Sequence, residues 1–255
     1  MVESIRASLP PVYRHLVNDF FDRPKVIEGR ATCDNCAMCD HGQKSPVAME
    51  FFHPDTKCCT FHPNLANYLV GSILADKSPA MAEGKKRIRA IIKTRVGVAP
   101  QFLSRPRKLT LIMSNYSEAF GRAKSLLCPF YDGSNPEGAC TIWKHRESVC
   151  MTYYCKYSGG KRGFSYWTAL KRYLFFVEAL LARSAAHAID PRVKEPRGDR
   201  LTLEDIEDLP AKDADYRTSW QSWVGREEVF YLKCHEWVSR LSPKEFAKSV
   251  DGSER

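Results

Sequence analysis

Apolar residues recur at helical spacing in several separated stretches of the chain. Trp167, Leu170, Leu174, Val177 and Leu181 step by three and four, which lays a continuous apolar stripe along one helix. Phe230, Cys234, Trp237 and Leu241 repeat the pattern and predict the last helix. Leu65, Leu69 and Ile73 predict a helix over 64–75, with His62-Pro63 at its start. Ile88, Ile91 and Ile92 predict another, ringed by Lys85, Lys86, Arg87, Arg89 and Lys93. Ser78-Pro79 before it has the form of a cap followed by proline in the first turn. Tyr13, Leu16, Val17 and Phe20 follow Pro10-Pro11 and predict a first helix, ended by a turn near Asp22-Arg23-Pro24.

Between these stretches the period is lost. Residues 30–60 and 128–160 are irregular, with turn signals at Asp132-Gly133 and Gly159-Gly160. Residues after Pro100 and Pro106 read as a loop. The charged, proline-containing stretch 190–216 reads as a surface loop, and 251–255 as a frayed end. Strand signals are short and few, and there is no internal repeat. The expected fold is mainly α: one domain over 1–255, with helices around irregular cysteine-rich loops that enclose a metal centre. Residues 161–247 form its helical C-terminal part.

Composition narrows the setting. Of the 255 residues, 44% are hydrophobic, enough to bury a core. No run approaches the ~18 apolar residues that a membrane span needs. The opening Met1-Val2-Glu3-Ser4-Ile5-Arg6 lacks the basic-then-apolar order of a secretory signal. A cytoplasmic protein without a membrane anchor is therefore expected. There, clustered thiols serve as metal ligands or redox groups more often than as disulfides.

Nine of the ten cysteines fall in the two irregular blocks. Cys33, Cys36, Cys39, Cys58 and Cys59 form the first, and Cys128, Cys140, Cys150 and Cys155 the second. Ligands two residues apart on a turn can converge on one metal, and soft thiolate suits zinc, copper(I) and iron–sulfur iron. The irregular second-block spacing and the vicinal pair favour iron–sulfur over a simple tetrahedral zinc site. Nine thiols could hold two four-ligand centres with one to spare. His41, His53, His62 and His145 are further candidate ligands, and His145 could instead donate to a cluster sulfur. Arg146 could balance thiolate charge or fix its loop by bonding to carbonyls. Cys234 lies on the apolar face of the last helix and reads as core, while His235 beside it reads as surface.

The net charge of +9 admits an acidic partner, nucleic acid included, although metal-bound thiolates would reduce it. The basic stretch 85–95 reads as a solvated helix face. Trp220, Trp223 and Trp237 are spaced to pack on helices and lack the interleaved Arg and Gly of a stacking platform. Nucleic acid is thus the less favoured partner.

One motif carries a resemblance. Cys128-Pro129-Phe130-Tyr131, then Gly138-Ala139-Cys140-Thr141-Ile142-Trp143, then His145-Arg146, Cys150 and Cys155 resemble the YkgJ family of cysteine-cluster proteins, described as a zinc- or iron-chelating domain. Cys58-Cys59 is similar to that family's vicinal pair. The chain departs from the family pattern at Glu147, where proline is usual, and at Met151, where arginine is common. Eighteen residues separate Cys39 from Cys58, against a compact first block in the family. The resemblance implies chelation, with all nine block cysteines as candidate metal ligands, and it covers about half of the chain.

The expected function is metal binding through one or two iron–sulfur clusters of the [4Fe–4S] kind. The cluster would act in electron transfer with a redox or protein partner, or in an enzyme of unidentified substrate. One alternative is a zinc-stabilised binding module without catalysis. Another is a modifying enzyme such as a methylase, since flagellin lysine methylases resemble the chain in their cysteine pattern. No glycine-rich loop follows a strand to cradle adenosylmethionine. The Cys33-x2-Cys36-x2-Cys39 spacing also differs from that of radical adenosylmethionine enzymes.

Overall fold

The structure, a computed structural model, describes residues 4–23, 36, 38–40, 51–134, 139–154, 157–195 and 201–252. The chain opens with α1 (Ile5–Ser8), then turns, and continues through β1 (Leu65–Ala66) into α2 (Asn67–Ala75) and α3 (Ala82–Thr94). After β2 (Phe102–Leu103) come α4 (Arg107–Asn115), β3 (Tyr131–Asp132), β4 (Ala139–Cys140) and α5 (Ser148–Thr152). The long α6 (Gly160–Ile189) leads to α7 (Leu203–Ile206), α8 (Asp213–Trp220), α9 (Glu227–Arg240) and α10 (Pro243–Gly252). The fold is mainly helical. Its two sheets are minimal antiparallel pairs, with Leu65 opposite Leu103 and Tyr131 opposite Cys140.

The core is built around α2. Every residue from Asn67 to Leu74 is buried, so α2 is enclosed on all sides rather than on the one face expected. A buried helix still needs its polar groups bonded. Asn67 meets this need: its Nδ2 donates to the carbonyls of Pro100 and Ala182, both at 2.9 Å. Ser72 donates back to the Tyr68 carbonyl at 2.7 Å and lies 2.9 Å from His235 Nδ1. His235 is therefore half-buried and tied to α2, contrary to its reading as a surface residue.

The predicted stripe of α6 is buried along its length, from Trp167 through Leu181 and on to Ala182, Ala185 and Ala186. The helix is 30 residues, about 45 Å at 1.5 Å per residue. On α9, Phe230, Tyr231, Cys234 and Val238 are buried. Cys234 is fully enclosed, as a core cysteine. Trp220 and Trp223 close this end of the core, and Trp223 Nε1 donates to Asp190 at 3.1 Å.

The N-terminal region departs from the expected helix. Residues 11–16 form turns, and a 3₁₀ turn spans Asp19–Asp22. Tyr13, Leu16 and Val17 are buried all the same, while Phe20 is 43% exposed. Residues 61–64 lead into β1 rather than opening a helix. Ser78 precedes a 3₁₀ turn with Pro79 at its start, but its side chain makes no capping bond. No helix among the described residues is long and apolar enough to cross a membrane.

Candidate metal centre

Seven of the nine predicted ligands lie within the described residues; Cys33 and Cys155 lie outside them, as does His41. None of the eight described cysteines, Cys234 included, is in a disulfide. The seven fall into two neighbouring groups.

The first group sits in a small apolar cluster of its own. Cys36, Cys39 and Phe52 are buried there, with Met38, Cys58 and Phe120 packed against them. A turn closes when Cys39 N–H donates to the Cys36 carbonyl at 3.0 Å, and Phe52 N–H donates to the Met38 carbonyl at 2.7 Å. Consecutive turns over 53–61 then present the vicinal pair. These turns are pinned from outside: Thr56 Oγ1 donates to the Gly121 carbonyl at 2.6 Å, and Gly121 N–H donates to Thr60 Oγ1 at 2.7 Å. Lys57 adopts a left-handed backbone, φ 49°, and is buried at 7% exposure. That conformation costs an L-residue about 1 kcal/mol.

The second group is organised by α3, the two-strand pair and α5. Cys128 N–H donates to the Cys59 carbonyl at 2.7 Å, joining the blocks through the backbone. Arg87 donates to the carbonyls of Pro129 and Tyr131, at 2.9 and 2.6 Å, and its Nε donates to Glu83 at 2.8 Å. The basic stretch on α3 is therefore more than a solvated face. Gly84 permits the approach, because a Cβ there would stand 2.5 Å from the Thr141 carbonyl oxygen. Glu147 caps α5, accepting from the N–H groups of Val149 and Cys150 at 2.7 and 2.9 Å. It thereby places Cys150.

Each thiol for which a shift is resolved is held protonated. Burial and then Cys36 raise Cys39 to about 11, against the opposing charge of Lys57. The bond with Cys59 and then burial raise Cys58. Burial raises Cys128 to about 12, opposed by the N–H groups of Phe130 and Tyr131 and by Arg87. Burial, Glu147, Cys128 and Cys140 raise Cys150. Burial is the first cause for Cys39, Cys128 and Cys150, and neighbouring thiols add to it.

Among the described residues, no three His, Cys, Asp or Glu side chains are arranged to hold a metal ion as they stand. The donor set itself suits a soft ion. Loading would replace thiol protons and thiol–thiol bonds with metal–sulfur bonds.

The histidines and Arg146 have other partners. His53 Nδ1 accepts from Asp55 N–H at 3.2 Å, and His62 Nε2 lies 3.0 Å from the Leu126 carbonyl. His145 Nε2 meets Asp76 at 2.9 Å, while its buried Nδ1 has no partner among the described residues. Arg146 donates to the Trp143 carbonyl at 3.0 Å and lies 3.3 Å over the Trp143 ring, so carbonyl bonding fixes its loop. Lys57 and Arg87 are the site residues that sequence reasoning missed. Their signals were a lysine directly before the vicinal pair and a Glu83/Arg87 pair one turn apart.

A cleft of about 930 Å³ lies between residues 95–107, 194–195 and 202–219, and no cysteine lines it. Much of its charge is paired internally, as in Arg107 with Asp205 at 2.7 Å and Lys212 with Glu204 at 3.3 Å. Comparison with family models, with curated proteins and with solved structures finds no match.

Proposed function

We propose that this chain is a metal-binding protein of the YkgJ kind, holding iron–sulfur through its cysteine blocks. What carries the reading is the convergence of seven thiols, from stretches far apart in sequence, into adjacent groups joined by the Cys59–Cys128 backbone bond. Ordinary core cysteines, of which Cys234 is the local example, have no need of such company. Thiolate softness selects iron–sulfur iron or zinc over magnesium or calcium. A buried lysine beside the first group and a bonded arginine behind the second suit an anionic, thiolate-ligated centre. The cluster's role is electron transfer to a protein partner, or chemistry on a substrate.

Anaerobic purification followed by iron, sulfide and zinc analysis tests this. Iron with matching sulfide and a broad visible absorption band is the expected result. Stoichiometric zinc without colour would replace the electron-transfer reading with a zinc-stabilised binding module. A protein free of both metals would overturn both.

A further inference from the structure

The cleft of about 930 Å³ holds a cation and an amide that the rest of the chain does not satisfy. Arg105 lines it and is half-buried. Its Nε donates to Thr110 Oγ1 at 3.0 Å, and its guanidinium lies 5.3 Å over the Phe61 ring. Among the described residues it has no carboxylate within ion-pair distance, and burial pulls its pKa down against the charge of Glu147. Its neighbours are paired: Arg107 with Asp205, Lys108 with Asp208 and Lys212 with Glu204. Gln101 lines the same cleft at 6% exposure, and its Oε1 is buried without a hydrogen-bond partner among the described residues. Exchanging the amide oxygen and nitrogen would leave a donor unmet in its place. An unmet buried polar group works against folding, so its presence beside a cleft points to a partner from outside the chain.

We infer that this cleft binds a small anionic molecule, whose carboxylate or phosphate pairs with Arg105 and whose hydroxyl or amino group donates to Gln101. A planar guanidinium free of carboxylates offers a two-pronged bond to such an oxyanion. The volume is that of a metabolite site. The loop that carries both residues is already fixed. Ser104 N–H donates to the Gly97 carbonyl at 2.8 Å, and Ala99 N–H to the Phe102 carbonyl at 3.0 Å. From behind, Trp220 Nε1 donates to the Val98 carbonyl at 3.2 Å, and the Tyr231 hydroxyl to the Ala99 carbonyl at 2.8 Å. The Gln101 carbonyl accepts from Asn67 N–H at 2.9 Å. The site is therefore pre-formed, as small-molecule sites usually are. It uses no cysteine and does not depend on metal. Arg105 nevertheless brings it close to the first cysteine block, because Phe61 N–H donates to the Cys58 carbonyl at 3.3 Å.

The experiment titrates the full chain with glycerol 3-phosphate and with malate, at constant ionic strength, by calorimetry and by the shift in melting temperature. Saturable binding of one or both is the expected result, and the tighter probe tells a phosphate ligand from a carboxylate one. Arg105→Gln should weaken that binding by at least about tenfold. Arg105→Lys should weaken it less, since it keeps the charge and loses the fork. Gln101→Met should also weaken it about tenfold, while its melting temperature without probe stays level or rises, because the unmet acceptor is gone. Arg172→Gln, on the exposed face of α6, should bind as the wild type does. If neither probe saturates, the proposal is overturned. It is equally overturned if Arg172→Gln weakens binding as much as Arg105→Gln, since general positive charge would then be the attraction. Normal binding by Gln101→Met with a lowered melting temperature would assign that amide to the fold and remove it from the site.

Discussion

Glu178 is a buried acid in contact with the candidate centre's supports. It sits on α6 at 4% exposure. Tyr13 donates its hydroxyl to Glu178 at 3.0 Å, and Ser148 N–H donates to the other oxygen at 3.1 Å. The second bond anchors α5, and with it Cys150, to the long helix. Burial, and then the charge of Glu147, push Glu178 up to about 8 from an ordinary 4.5. The unfolded chain ionises this carboxyl near 4.5, whereas the fold keeps its proton to about 8. The native state thus holds the extra proton across that window, and stability falls as the pH rises through it. Glu178→Gln keeps the shape and removes the ionisation, and the Tyr13 hydroxyl can turn to accept from the new amide. Its melting temperature should stay flatter than the wild type's between about pH 5 and 8, and exceed it at the alkaline end. Parallel melting curves for the two proteins across this range would show that Glu178 does not titrate there.

At the level of elements, the closest helix contact is that of α2 with α9. A Cβ on Gly71 would stand 2.1 Å from the Tyr231 carbonyl oxygen and 2.7 Å from His235 Cβ. Gly71→Ala must therefore push the helices apart, at about 2 kcal/mol for a rigid core. Urea unfolding should show that loss; an unchanged midpoint would mean that α9 yields readily. The helices α6 and α9 were legible because a wide buried stripe writes its period into the sequence. Shorter helices were not: α4 buries only Leu109 and α7 buries nothing. For α7 and α10 the capping residues were the available signal. Thr202 with Asp205, and Ser242 with Glu245, bond reciprocally at the helix starts, as an S/T-x-x-acid pattern does. Tyr13, Leu16 and Val17 gave the right burial and the wrong element, since spacing alone cannot separate a helix from successive turns after Pro10-Pro11. The cysteine blocks were legible as a candidate site from their spacing alone. The approach of Cys128 to the Cys59 carbonyl, and the arrival of Arg87 behind Cys128, depend on long-range contacts that no spacing encodes.

For the molecule as a whole, the two cysteine blocks close a loop of about seventy residues between Cys59 and Cys128. The chain entropy lost on closing such a loop grows only slowly with its length, and under the proposed reading metal binding to the closed form would add its free energy to folding. The core of α2, α6 and α9 packs mainly through aliphatic and aromatic side chains outside the cysteine blocks. Metal loss should therefore loosen one part of the fold more than another. Chelation of loaded protein, or Cys150→Ser, is expected to cost about 3 kcal/mol. At roughly 2–4 °C per kcal/mol for a chain of this size, the melting temperature should fall by about 6–12 °C. Hydrogen exchange should show the turns around 53–61 and 128–131 losing protection first, with α2 and α9 keeping theirs. Uniform loss of protection would mean that the metal organises the whole chain. An unchanged melting curve after complete metal removal would mean that the cysteine blocks are closed by packing alone, with the Cys59–Cys128 backbone bond and the Arg87 carbonyl contacts sufficient to hold them.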